Sequence, residues 1–249
     1  MSDNGMVGLP GAVQAFEPGA QARDRQGGDV TYWTRAVGDL IAPTGRIVAC
    51  DPFACADAPA FAREVPLGTY SVLVALARFT RNGDERIVAA MVQLRDAAPV
   101  RWEPAAWVRD RDAGSANSEI DKEGATDSAS LAGAYCVDSG FGAFMDEAAS
   151  EALLEHIAAA DDDDYLQGRL ESLSPVGGAE WFDIPLDEET GANMLLFTAG
   201  WGDGASPVVL GLRRRRWPCP PADGLWRRRR LRVPLATDKQ LPLRPAVSD

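Results

Sequence analysis

Four aspartates stand where chemistry could be placed: Asp51 in ACDPF, Asp138 in CVDSG, Asp146 in FMDEA and Asp203 in WGDG. Each is expected at a strand end or in a glycine turn, and an oxygen-only set of carboxylates suits magnesium, calcium or manganese. If two or more converge, metal-assisted hydrolysis is the matching reaction class. Trp201 shares the loop of Asp203. Other chemistries lack their residues: the single histidine, His156, excludes any site that needs two, and no Ser-His-Asp, phosphate-loop or zinc signature is present. Cys50, Cys55, Cys136 and Cys219 show no paired CxxC spacing, so they read as buried or inert thiols rather than a zinc site or disulfide framework. No cofactor is indicated unless the aspartates meet.

Each candidate also has a plainer reading. Asp51 precedes Pro52, which cannot donate a ladder hydrogen bond, so it reads equally as a turn carboxylate closing a strand. Asp146 stands where a helix N-cap belongs. Glu103, between Trp102 and Trp107, is a further candidate. The run Asp161 to Asp164 lacks the alternation and glycine of a calcium loop and fits the acidic start of a helix.

The elements that must position these residues centre on Gly191 to Gly204, GANMLLFTAGWGDG. A short apolar run from Met194 to Thr198, bounded by glycine, reads as a buried strand. Gly200, Gly202 and Gly204 then allow a tight loop to aim Trp201 and Asp203. Upstream, Gly45 to Phe53 contains a strand. Residues 65 to 107 read as a meander: a strand from about Thr69 to Phe79, an Asn82-Gly83-Asp84 turn, a second from Arg86 to Leu94, and a third within Val100 to Trp107. On the first of these, Tyr70, Val72, Val74 and Leu76 share one face. Trp33 to Leu40 is expected as a short helix or turn.

Ala134 to Asp146 reads as strand, glycine turn (Gly140, Gly142) and strand. EAASEALLEHIAAA follows as a helix with Ala149, Leu153, Leu154 and Ile157 as its apolar stripe. YLQGRLESL predicts a second helix and EWFDIPL another strand. The fold class expected is therefore α+β, with mainly antiparallel sheet and two helices after Asp146, in a single domain. Residues 1 to 30 read as a flexible lead, 31 to 212 as the globular domain, 109 to 131 as a mobile insertion poor in large apolar side chains, and 213 to 249 as an Arg/Pro-rich tail.

The net charge of −12 over 249 residues hides a break. From Arg213 onward there are eleven basic residues against three acidic ones, a balance of +8, whereas Met1 to Leu212 carries 14 basic and 34 acidic residues, or −20. Such a body disfavours nucleic acid and anionic membrane. No apolar run approaches the roughly 20 residues of a membrane helix, and the N-terminus lacks signal-peptide character. The protein is expected to be cytoplasmic.

The stretches GRIVACDP, DERIVAAMVQLRDAAPVRWE, VDSGFGAFMD and TGANMLLFTAGWGDG, in that order, resemble a bacterial family known as domain of unknown function four-two-four-one. The resemblance covers roughly Asp39 to Leu212. It implies that Asp51, Asp138, Gly140, Gly142, Asp146, Gly200, Trp201, Gly202, Asp203 and Gly204 occupy motif positions, and it implies no particular activity. Members usually continue with an aromatic strand, an Asp-rich turn and a final strand. Here GLRRRRWPCPPADGLWRRRRLRVPLATDK follows instead.

One reading of that tail is a frameshift near Leu212, because synonymous codons read one nucleotide onward can give SDADGGPVRLLTDF. A second takes Arg213 to Arg232, with Trp217 and Trp226, as an electrostatic nucleic-acid arm. A third folds the arm onto the acidic body. For the whole chain, the reading adopted is an acidic binding or interaction module of immunity or regulatory type with a basic protein partner. The alternatives are a divalent-metal enzyme built on the aspartates and nucleic-acid binding through the tail.

Overall fold

The computed structural model describes residues 13–107, 133–160, 165–173 and 181–212. All of these residues lie in one compact unit. The insertion expected at 109–131, the acidic run and the tail fall outside the described residues.

Strand β10, Asn193–Thr198, is an inner strand of a four-stranded sheet. It pairs antiparallel with β8, Phe141–Asp146, on one side and β9, Trp181–Pro185, on the other, and β3, Ile47–Cys50, closes this sheet beyond β8. Nearly every side chain of β10 is buried, because both faces of its sheet are covered. Leu195 and Phe197 point to one core with Ala49, Phe144 and Trp181. Met194 and Leu196 point to the other with Val48, Cys50, Ala143, Met145 and Ile184.

The first core is shared with a second antiparallel sheet in the order β1, β2, β4, β5: Gln21–Arg23, Asp29–Ala42, Gly68–Phe79 and Glu85–Gln93. Leu40, Val72, Val74, Leu76 and Ile87 supply its side of the interface. The second core is roofed by α1, Glu147–Ala160, through Ala149 and Leu153, and by α2, Tyr165–Glu171, through Leu166 and Leu170. The fold is thus α+β and mostly antiparallel sheet, layered sheet on sheet on helix. Two short ladders flank it: β7, Ala134–Val137, with β11, Gly204–Pro207, and β6, Arg101–Pro104, with β12, Val209–Leu212.

Several expectations are corrected. Trp33 to Leu40 is neither helix nor turn but the middle of the 14-residue β2. A register shift between Ala36 and Gly38 breaks the two-residue alternation that would have marked it as a strand. Gly38 faces the other sheet, where an added Cβ would lie 2.6 Å from Leu195 Cδ1, so glycine here serves close approach of the sheets. Gln21–Arg23, within the stretch read as a lead, pairs with β2. The third strand of the expected meander, β6, pairs with β12 and not with β5. Leu154 leaves the stripe of α1 and is exposed.

Asn193 fastens the layers. Its Oδ1 accepts the Ile41 amide at 2.9 Å, and its Nδ2 donates to the Asp39 carbonyl at 2.9 Å and to Asp183 Oδ1 at 2.6 Å. One buried amide side chain therefore joins β10 to β2 and β9 at a point where an apolar residue would leave those groups unpaired. His156 adds a link outside the sheets, its Nε2 lying 2.8 Å from the Leu186 carbonyl while the ring stacks on Tyr165.

Candidate functional site

The ladders bring two glycine turns together at one end of the sheets. Thr198 of β10 pairs with Phe141 of β8, and the Ala199 amide donates to the Gly140 carbonyl at 2.8 Å. On the far side, Gly204 pairs with Val137, so Asp203 and Asp138 each stand one residue beyond the paired end of the β7–β11 ladder. Both are exposed. Gly140, Gly200, Gly202 and Gly204 all have positive φ, as turns of this tightness require, while Gly142 makes room for the Tyr135 hydroxyl.

Asp51 lies at the same end but in a different state. It is fully buried and its carboxylate is saturated: Oδ2 accepts the amides of Asp138 at 2.8 Å and Ser139 at 2.7 Å, and Oδ1 accepts the Ser139 hydroxyl at 2.6 Å and the Phe53 amide at 3.1 Å. Its role in this geometry is to fix the β7–β8 turn against the end of β3. Asp146 lies elsewhere. Ile47 is its partner across the β3–β8 ladder, and Asp51 lies four residues further on, ~13 Å at ~3.3 Å per residue.

Asp146 is also fully buried. It accepts from the Thr44 hydroxyl at 2.8 Å, the Gly45 amide at 2.9 Å and, at the start of α1, the Ala148 amide at 3.1 Å. The last is the N-cap bond expected from the sequence. Glu103 receives Arg63 at 2.8 Å and Arg101 at 3.5 Å as a surface ion pair. Among the described residues, no group of three or more His, Cys, Asp or Glu is arranged to hold a metal ion.

Trp201 is the unusual member. It is 64% exposed, the large-apolar opposite of the buried Trp181. The ring is nevertheless held: the Arg86 guanidinium lies 4.9 Å above it, and Phe79 meets it edge-on at 5.7 Å. Arg86 is itself fixed by Asp84 Oδ2 at 2.6 Å and donates through Nη1 to the Gly200 carbonyl at 3.1 Å. Gly200 comes so close to β5 that an added Cβ would lie 1.9 Å from the Ile87 carbonyl oxygen, at a φ of +66°. The loop from β10 is thus locked onto the β4–β5 hairpin, presenting a largely exposed indole with a preset orientation.

Arg86 and Phe79 did not emerge from the sequence as site residues. Nothing local marks them, since their contact with Trp201 spans more than a hundred residues. The described thiols divide by exposure. Cys50 is buried, and burial, reinforced by Asp51, pushes its thiol up to about 12. Cys55 and Cys136, however, are exposed.

The fold and this end of it define a class: an antiparallel sheet-on-sheet protein backed by helices, with an exposed tryptophan and unpaired-end aspartates at the meeting of two glycine turns. The chain belongs to the family described as Protein of unknown function (DUF4241), which matches residues 40–219. The match includes all the motif positions from Asp51 to Gly204. Neither a curated protein nor a solved structure gave a match. Among the described residues, no helix is long and apolar enough to cross a membrane.

Proposed function

We propose that the chain is a binding module whose contact with a basic protein partner is centred on Trp201, in the manner of an immunity-type or regulatory protein. The observation that carries this is the exposure of Trp201 together with its fixed orientation under Arg86 and against Phe79. Tryptophan is enriched among the residues that dominate protein interfaces, and a side chain already held in place loses little entropy on binding. Asp138 and Asp203 at the same end, on a body of charge −20, favour a basic partner and speed encounter with it.

The test is affinity capture from the source cells with the wild type and Trp201→Ala, at low and moderate salt. A partner that is basic, lost with Trp201→Ala and weakened by salt supports the reading. Recovery of no partner, or of one retained equally by the variant, defeats it. The metal-dependent alternative gains no support from the geometry, because Asp51 and Asp146 lie apart and have their oxygens engaged. The nucleic-acid arm rests on residues outside those described. It keeps its own test, binding that weakens steeply with salt and vanishes on truncation at Leu212.

A further inference from the structure

The loop after β3 and strand β7 carry one exposed thiol each, Cys55 and Cys136. Both segments are tied to Asp51. Its carbonyl accepts the Cys55 amide at 2.8 Å, and its carboxylate accepts the amides of Asp138 and Ser139, directly beyond β7, at 2.8 and 2.7 Å. A single buried residue therefore holds the two thiol-bearing segments side by side. Each thiol also has an aspartate two residues beyond it, Asp57 after Cys55 and Asp138 after Cys136.

We propose that Cys55 and Cys136 are a reversible dithiol–disulfide pair, oxidised by small cationic disulfides in preference to anionic ones. The thiolate of Cys55 attacks one sulfur of the incoming disulfide, breaking its S–S bond and releasing one small thiolate, which takes up a proton. The Cys136 thiolate then attacks the Cys55 sulfur, forms the protein S–S bond and expels the second small thiolate, which is protonated in turn. The pair loses two electrons and two protons, and the small disulfide gains them as two thiols.

The selection by charge follows from the surroundings. Asp57 lies two residues beyond Cys55, Asp51 accepts the Cys55 amide and Asp138 is bonded to Asp51, so an anionic reagent is repelled and a cationic one concentrated. Local desolvation first, then Asp57 and the other neighbours, raise the Cys55 thiol, so its attack on a disulfide quickens as pH rises. Cys50 stands outside the exchange, buried in the helix-side core.

The experiment uses the full chain carrying Cys219→Ser, which removes the tail thiol, treated with cystamine or with glutathione disulfide. Acid quenching, alkylation of remaining thiols in denaturant and intact-mass measurement follow. Expected is a protein carrying two fewer alkyl groups than the alkylated reduced control, a Cys55–Cys136 linked peptide and full reversal by dithiothreitol. Cystamine should act about tenfold faster than glutathione disulfide at low salt, the gap closing at high salt. Cys55→Ser and Cys136→Ser should each stop at one mixed disulfide. Two stable cysteamine adducts with no cross-link, or a cross-link to Cys50, would overturn the pairing. Equal rates for the two reagents would overturn the charge selection.

Discussion

Removing the Asp51 carboxylate should be among the more damaging single changes in the protein, because four donors converge on it. In Asp51→Ala the amides of Phe53, Asp138 and Ser139 lose their acceptor, and the Ser139 hydroxyl is left to turn elsewhere. An orphaned donor costs about 1 kcal/mol where water can reach it and up to about 3 where it cannot. These groups are part-buried, so the three amides together give about 3–5 kcal/mol, a large share of the ~5–15 kcal/mol that holds a typical domain together. Asp51→Asn is a sharper test. Its carbonyl oxygen can take the Oδ2 position facing two amides, and its NH2 can donate to the Ser139 oxygen, but that NH2 then opposes the Phe53 amide. Only one bond is lost, together with the charge assistance on the others, so about 1–2 kcal/mol is expected. Urea unfolding followed by tryptophan fluorescence measures both, with Trp181 buried and Trp201 exposed as contrasting reporters. A loss below about 1 kcal/mol for Asp51→Ala, or equal losses for Ala and Asn, would refute the carboxylate's role as the turn's acceptor.

Three other outcomes follow from the same structure. Gly200→Ala should destabilise by about 2–3 kcal/mol and release Trp201 from Arg86, because its Cβ meets the Ile87 carbonyl at a positive φ; a red shift of the exposed indole emission and a lower urea midpoint would report it. Asn193→Ala should lower stability by about 3 kcal/mol by unpairing Ile41, Asp39 and Asp183, measured by the same unfolding transition. Alkali should weaken the fold in a defined window. Burial raises Cys50 from 9.0 and Tyr135 from 10.0, each to about 12, so their contribution is intact below about pH 9 and is lost as pH climbs toward 12, where the folded groups ionise too. Urea midpoints for the wild type should fall from pH 9 upward, and Cys50→Ala should flatten the first part of that fall.

The sequence by itself determined most of the local structure. β3, β4, β5, β7, β8, β9, β10, α1 and α2 were all legible, because each combines a clear apolar period with a punctuating glycine, proline or capping residue. The α+β class and the N-cap role of Asp146 followed from those same signals. Family membership was legible too, through four separated motifs. Only the tertiary structure decided which strands are neighbours. β6 finds β12 and β7 finds β11 across more than sixty residues, and no local period encodes a partner so distant in the chain. β2 was hidden because one bulge inverts its alternation, and pairing with β4 carries the strand across that break. The aspartates show the same division. Four similar turn carboxylates in the sequence become two saturated internal acceptors, Asp51 and Asp146, and two exposed ones, Asp138 and Asp203. A carboxylate's fate depends on whether backbone amides or water surround it, and that is fixed only when the sheets close.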